Sequence, residues 1–546
     1  MSKRDVIVIG SGLSGLVTAA ELVRAGKRVL IVDQEPAATF GGQAFWSLGG
    51  LFIVDTPEQR ALGIHDSLEL ARNDWMSTAR FDRAEDEYGE QWANSYVKFA
   101  AVEMRDWLAD YGIELAPIIG WPEARREGID MGNSVPRCHI VWGMGPGLLE
   151  PFQRKVIEGQ EAGLVDLRFR HRVDELLRDE SGAVVGVAGS ILSDDDAPRG
   201  ARTSREVIGT FSEHAPVVVI AAGGVGGNLE MVRRRWPTDR VGPAPATLLR
   251  GVPEHVDGRM VEIAEGAGAH LINLDRMWTY AEGLRHHTPQ WDSQGVRILP
   301  GPSAVWLDGR GDRLPESIKP GSDALGGLIA TRANGQDTSW FVVSRIIAET
   351  ELTLAGQDQN PHLRAKTAAV PERVGIPAAI QAFMDHGEDF VVADNLDDLV
   401  TSMAELSADV EPDRVRNAIL EHDREVEAGI TAITGREGGG DAQGSFIRVA
   451  AAHAFLDPSA GPLIAIRLRT ITRKSLGGLE TDLRGRVLTV GGSEIDGLYA
   501  VGEAAGFGGG GVHGYSALEG TFLGGCLFTG RQTAAALIET LAENYT

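Results

Sequence analysis

Asp5-Val-Ile-Val-Ile-Gly10-Ser-Gly12-Leu13-Ser14-Gly15 stands at the start of the chain, and its reading decides the fold. Asp5 to Ile9 is an apolar run long enough for one buried strand. Leu16 to Ala25 then reads as a helix stopped by Gly26, and Arg28-Val-Leu-Ile-Val-Asp33 as a second strand ending in an acid. Strand, glycine turn, helix, strand, acid is the order of a dinucleotide-binding unit. Gly10 permits the tight turn, Gly12 lets a pyrophosphate approach the backbone, and Gly15 lets the helix lie close to the strand. The helix N-terminus faces the phosphates. Asp33 can accept hydrogen bonds from an adenosine ribose, and its charge would repel a 2′-phosphate.

Composition sets the outer limits. A chain of 546 residues exceeds what one core needs, so two or more domains are expected. With 43% apolar residues it can bury them. The formal net charge of -25 and the lack of any Lys/Arg cluster exclude a nucleic-acid binder and disfavour anionic membranes. Cys138 and Cys526 lie far apart, which excludes a disulfide framework and any cysteine-rich metal centre. The first strand starts at residue 5, so no signal peptide is expected, and no apolar run reaches the ~18 residues of a spanning helix. A reducing cytoplasm is the expected setting.

Beyond Asp33, two glycine pairs, Gly41-Gly42 and Gly49-Gly50, flank Gln43-Ala44-Phe-Trp-Ser47-Leu, a stretch that lets backbone pass close to a flat, extended ligand. Residues 56–113 read as surface helices. Trp121 to Gly147 reads as a long irregular loop, and Gly147 to Ala162 as a helix. Asp194-Asp195-Asp196 reads as a solvated turn, not a metal site. Pro216 to Ala222 is another buried strand running into Gly223-Gly224. Ligands in open α/β sheets sit at the carboxyl ends of strands, so this is a second cofactor-facing turn. From Met277 the character shifts to helical patterns at Ser339–Leu354, Pro377–His386 and Pro412–Glu427. Sheet patterns return at Pro462 and lead to Gly502-Glu503 and a closing helix from Thr521 to Asn544.

The C-terminal stretch carries a family resemblance. Gly497-Leu-Tyr-Ala-Val-Gly502-Glu503, a glycine run, Val-His513-Gly514, Gly520 and Thr529-Gly-Arg531 resemble the flavoproteins of the fumarate reductase, succinate dehydrogenase and 3-ketosteroid dehydrogenase superfamily. The likeness spans essentially the whole chain. It implies an α/β fold: a discontinuous Rossmann-like FAD-binding domain over 1–276 and 462–546, with an inserted α+β capping domain over 277–461. It also implies that the dinucleotide is FAD. The implied cofactor contacts are Gly10, Gly12, Leu13, Ser14, Gly15, Asp33, Gln34, Gly41, Gly42, Gln43, Ala44, Ser47, Gly49 and Gly50. The backbone near Val173 would meet the adenine. Ala221, Ala222 and Gly223 form the second turn, and Gly502 and Glu503 bind the ribityl side. Thr521, Phe522 and Leu523 present a helix N-terminus to the flavin pyrimidine, where reduced flavin carries negative charge. Gln43 stands where succinate dehydrogenases carry the histidine that attaches FAD, so the FAD is expected to be non-covalent.

Departures from that pattern bear on the substrate. Fumarate reductases hold a carboxylate with an arginine after His-Gly, and this chain has Ala517 there. Their paired histidines read Arg473-Lys474, their His-Pro-Thr reads Met277-Trp278-Thr279, and Gly311 to Pro320 lacks their proton-donating arginine. A hydrophobic ketone fits better than a dicarboxylate. Tyr515 and Gly520 resemble the groups that polarise a C3 carbonyl in ketosteroid dehydrogenases, although Ser516 occupies the matching register. Tyr280, Lys319 or Lys474 is the expected base, and a tyrosine base would need a strongly depressed pKa. The expected activity is an FAD-dependent dehydrogenation or reduction of a C–C bond beside a carbonyl, with an external electron acceptor or donor. The alternatives are a reductase of small unsaturated acids and an electron-transfer flavoprotein within a complex.

Overall fold

The computed structural model describes residues 4–125, 129–321, 323–367, 374–429 and 449–543. Its first sheet has six strands. In spatial order they are Arg486–Leu488, Glu494–Ala500, Val218–Ile220, Val6–Ile9, Val29–Val32 and Val165–Arg168. All neighbours are parallel except the outermost pair, Arg486–Leu488 against Glu494–Ala500. The central strands are unbroken apolar runs, and Val6–Ile9, Val29–Val32 and Val218–Ile220 are buried at every residue. Such runs fit a parallel sheet covered on both faces. Helix Leu13–Arg24 and the last helix, Thr521–Glu543, lie against each other. A Cβ on Gly530 would stand 2.8 Å from the Ser14 carbonyl oxygen, which shows how closely they approach.

The second sheet has eight strands around one long member, Leu463–Ser475. That strand pairs with Thr338–Ser344, Phe390–Ala393 and Met277–Arg285, all antiparallel, and with Leu249–Arg250 in parallel. Gly295–Leu299 continues the sheet beyond Met277–Arg285. Ser339–Leu354, read from sequence as one helix, is therefore a strand followed by the short helix Arg345–Thr350. The run Trp340-Phe-Val-Val343 combines aromatic and β-branched residues, and burial on both faces of this sheet overrides the helical spacing. The other two helices form at Ala378–His386 and Pro412–Glu427. Leu463–Ser475 lies in the second sheet, and the chain rejoins the first sheet only at Arg486.

Part of the stretch read as a long loop is ordered. Cys138–Val141 is the middle strand of a small sheet between Gly50–Phe52 and Leu115–Gly120, and the following helix begins at Met144. Among the described residues no helix is long and apolar enough to cross a membrane, and no cluster of His, Cys, Asp and Glu could hold a metal ion.

Candidate active site

The glycine turn has the geometry its spacing requires. Gly10 has φ +104°, and a Cβ there would stand 2.6 Å from the Ala221 carbonyl oxygen. A Cβ on Gly15 would stand 2.3 Å from the Gly10 oxygen. Gly12 differs, because a Cβ there would meet nothing within 4 Å. It faces open space at the start of helix Leu13–Arg24, where a pyrophosphate needs backbone N–H groups. The Asp33 carboxylate closes the turn. Its Oδ2 accepts from Ser11 N at 2.8 Å and Ser11 Oγ at 2.6 Å, and its Oδ1 accepts from Glu35 N at 2.9 Å. Gln34 donates from Nε2 to the His255 carbonyl at 3.3 Å.

Gly12 and Gly41 form a parallel bridge that brings the second glycine stretch beside the first. Gly42–Trp46 is one 3-10 turn, with Ala44 O accepting from Ser47 Oγ at 2.7 Å. Within it Gln43 Oε1 is buried and has no hydrogen-bond partner, the state of a group whose partner belongs to a cofactor. Gly49 and Gly50 serve packing: a Cβ at Gly49 would strike Met144 at 2.6 Å, and one at Gly50 would strike Cys138 Sγ at 2.6 Å. Val173 is buried. Ala221, Ala222 and Gly223 follow the strand Val218–Ile220, and Gly223 again faces nearly open space. Gly502 donates its N–H to Thr529 Oγ1 at 2.9 Å. Glu503 Oε1 accepts from Ser475 N at 3.0 Å and lies across Gly224, where a Cβ would meet it at 2.1 Å. Burial pushes the Glu503 carboxyl up, against the pull of Lys474. Open backbone at Gly12 and Gly223 and an orphaned acceptor on Gln43 suit an extended dinucleotide.

Around the first residues of the last helix, side chains take over from backbone. Phe522 packs against Trp278, His513 and Phe507 at ring distances of 5.9, 4.7 and 5.2 Å. Lys474 Nζ lies 4.3 Å from the Phe522 ring centroid. Strand pairing explains this meeting, since Trp278 is registered directly opposite Lys474. Lys474 opens into a small cavity that it shares with Gly226, Thr279, Arg473 and Ser475. Burial and the neighbouring Arg473 pull its ammonium down to about 8. His513 hydrogen-bonds Thr521 Oγ1 at 2.9 Å, and burial drops its imidazole to about 3, so it is neutral.

Beside this aromatic wall lies a buried polar cluster. Tyr280 Oη donates to Glu519 Oε1 at 2.6 Å, and Trp278 Nε1 donates to Tyr280 Oη at 2.8 Å and to Glu519 Oε1 at 3.3 Å. The Arg297 guanidinium sits 3.7 Å from the Tyr280 ring centroid and reaches Glu519 Oε1 at 3.5 Å and Glu282 Oε1 at 3.3 Å. Burial alone would raise the Glu519 carboxyl. Lys474, Arg297 and the two hydrogen bonds hold it below the usual range. Burial and the Glu519 charge push the Tyr280 phenol well up. Burial also drives the Glu123 carboxyl well above the usual carboxylate range, against the pull of Arg297.

The sequence-derived catalytic residues are therefore separated. Tyr280 and Gly520 belong to this region. Tyr515 points away: its hydroxyl donates to Asp82 at 2.9 Å, and its ring is flanked by the guanidinium groups of Arg276, Arg240 and Arg83 at 4.0, 4.6 and 5.4 Å. Docking of the loop explains the turn, because Tyr515 N bonds Ala79 O and Gly514 has φ +55°. Lys319 lines a different cavity, with Trp306, Arg313, His422 and His453, beyond the Leu307–Arg313 bridge. Burial and the Glu519 charge move the Tyr280 phenol up, the direction opposite to the one a tyrosine base requires. Sequence reasoning passed over Glu519, Arg297, Glu282 and Glu123. Two signals were available: Glu519 adjoins Gly520, and Trp278, Tyr280 and Glu282 follow the period of one strand face.

Comparison with known proteins adds to this geometry. The family described as FAD binding domain matches residues 5–523. The chain is 54% identical over 538 residues to a KsdD-like steroid dehydrogenase of Mycolicibacterium smegmatis, covering 96% of each chain. Among solved structures, it is similar to a 3-ketosteroid Δ1-dehydrogenase from Sterolibacterium denitrificans, with TM-score 0.69 at 16% identity, covering 99% of this chain and 100% of that one. It is also similar to a flavocytochrome c3 fumarate reductase, with TM-score 0.65 at 21% identity, covering 98% of this chain and 78% of that one. One fold thus serves both chemistries, and the site must decide between them.

Proposed function

From the premise that this chain belongs to the FAD binding domain family and groups there with the KsdD-like steroid dehydrogenases, we propose that it dehydrogenates a 3-ketosteroid or similar hydrophobic ketone. Two hydrogens leave adjacent carbons beside the carbonyl. The observation that carries this reading is the Tyr280–Glu519 hydrogen bond, beside Trp278, whose ring packs on Phe522 where the last helix begins. An apolar wall with one ionised carboxylate suits a flat ketone. Ala517 stands where fumarate reductases hold a carboxylate with an arginine.

Bound FAD supplies the hydride acceptor. We assign its AMP half to Gly10–Gly15, Asp33, Gln34 and the backbone at Val173, and its pyrophosphate and flavin to Gly41–Ala44, Ala221–Gly223, Glu503 and Thr521–Leu523. The N–H groups of that last helix turn favour negative charge on the flavin pyrimidine. Gln43 at the attachment position supports non-covalent binding. Lys474 faces the same region and can hold charge that develops on the carbonyl oxygen. We place the FAD-binding part before residue 277 and after Ser475, with the second sheet as its cap. Turnover then needs an external two-electron acceptor of the quinone class, and two free cysteines fit a reducing cytoplasm.

Anaerobic mixing with saturated and Δ4 3-ketosteroids should bleach the oxidised flavin band within one turnover. A flavin that stays oxidised across such a panel, while its reduced form is reoxidised by fumarate or urocanate, would sink the proposal in favour of an unsaturated-acid reductase.

A further inference from the structure

The dehydrogenation proposed above requires a group that takes the proton α to the carbonyl, and the structure separates the two side chains that could do so. Tyr280 has its hydroxyl committed to Glu519 at 2.6 Å, and its phenol is surrounded by burial and by a carboxylate. Removing its proton would place two negative oxygens on one hydrogen bond. Glu519 has the opposite character. The contacts from Tyr280, Trp278 and Arg297 all end on Oε1, and the side chain is 22% exposed. Oε2 lies outside those contacts. Glu519 immediately precedes Gly520 and the first turn of the last helix, Thr521–Leu523.

Resting on that reading, we infer that Glu519 is the proton acceptor, with Tyr280, Trp278 and Arg297 as the positioning residues that fix its carboxylate. In this step the α C–H bond breaks. Its electron pair forms the C=C bond of the enolate, negative charge passes to the carbonyl oxygen, and the proton goes to Glu519 Oε2. No oxidant is consumed until a hydride leaves the β-carbon. Lys474 stands ready for the oxygen's charge. Glu519 is held below the usual carboxylate range, so it can enolise a ketone only with the carbonyl oxygen stabilised by a positioned donor. Arg297 reaches both Glu519 and Glu282 with one guanidinium. Lys474 and Arg297 hold the Glu519 carboxyl below the usual range although burial would raise it.

Because this step precedes oxidation, it can be measured without turnover. The holoenzyme is reduced with dithionite, so that no hydride can be taken, and is incubated with a saturated 3-ketosteroid in D2O. Deuterium at the carbons flanking C3 is read by mass spectrometry. Wild type should incorporate label well above the buffer rate. Glu519→Gln should lose at least about 100-fold of that exchange, while keeping its flavin content and the spectral shift of the bound flavin on steroid addition. Glu519→Asp should recover part of it. Tyr280→Phe should exchange about tenfold more slowly than wild type and still far above Glu519→Gln. Undiminished exchange in a flavin-loaded Glu519→Gln, or loss in Tyr280→Phe equal to that in Glu519→Gln, overturns the assignment. Wild type that bleaches with ketosteroids but does not exchange also overturns it and leaves the function standing. Neither bleaching nor exchange in wild type overturns both.

Discussion

The two ends of the cofactor-binding region are made of different material. At Gly10–Asp33 the recognition we propose is done by backbone: a glycine that opens onto free space, a second in close contact with its neighbour's carbonyl, and one carboxylate that ties the turn. At the start of the last helix it is done by side chains drawn from residues 278, 280, 297, 474 and 519. Backbone recognition needs contiguous sequence and little charge. Side-chain chemistry needs buried charges, and each is tolerable only because the others are present. The first end should therefore fail through shape and the second through electrostatics.

The largest effect is expected from shape. Gly15→Val places carbon 2.3 Å from the Gly10 oxygen, so the purified protein should lose at least about 100-fold in FAD affinity. The ratio of flavin to protein absorbance, beside a normal circular-dichroism spectrum, checks this. A fully yellow variant would break the contrast at its first end.

Next comes charge removal at the second end. Arg297→Gln leaves Glu519 and Glu282 buried without their cation and should cost about 3–5 kcal/mol of stability. Denaturant unfolding of the holoprotein reads it, and a loss under about 1 kcal/mol would mean the cluster is solvated.

A smaller and sharper effect concerns Lys474. Its ammonium is pulled down to about 8, so its charge is present below that pH and lost above it. If that charge steadies the enolate oxygen, kcat/KM falls above pH ~8, and Lys474→Met abolishes this alkaline limb while lowering the plateau. Stability runs the other way. The folded value lies below the unfolded one, so the unfolded chain binds more protons between them, and the apoprotein should gain stability as pH rises from about 8 to about 10.5. An alkaline limb that survives in Lys474→Met would assign it elsewhere.

The smallest effect is expected at Tyr515. With its hydroxyl on Asp82 and its ring among three guanidinium groups, Tyr515→Phe should change kcat by less than about twofold. A loss of about 100-fold would return this residue to the chemistry.

This contrast also explains what the sequence discloses. The nucleotide end is legible because spacing alone encodes it: Gly10, Gly12, Gly15 and Asp33 lie within one strand–helix–strand unit. The family resemblance points to Tyr515 and Gly520 for the same reason, as members of short motifs. A motif counts residues and says nothing of direction. Gly514, with φ +55°, turns Tyr515 out of the site that its neighbour Gly520 belongs to. Arg297 and Glu123 come from stretches that carry no motif, and only the packing of the second sheet makes them neighbours of Glu519. The strand at Thr338–Ser344 was hidden by an apolar run that fits either period until burial on both faces is known.

The long strand Leu463–Ser475 has a mechanical consequence. Thirteen residues at a rise of about 3.3 Å make a rod of roughly 40 Å. One end is clamped between Thr338–Ser344 and Phe390–Ala393, and the other carries Lys474, paired across to Trp278. The pairing with Met277–Arg285 slips register between Gly283 and Tyr280 and again between Tyr280 and Trp278, and beyond those slips Trp278 and Lys474 stand directly opposite each other. Lys474 and Trp278 are thus tied to each other at the tip of one strand pair, and both stand against Phe522, so what shifts one against the last helix shifts the other.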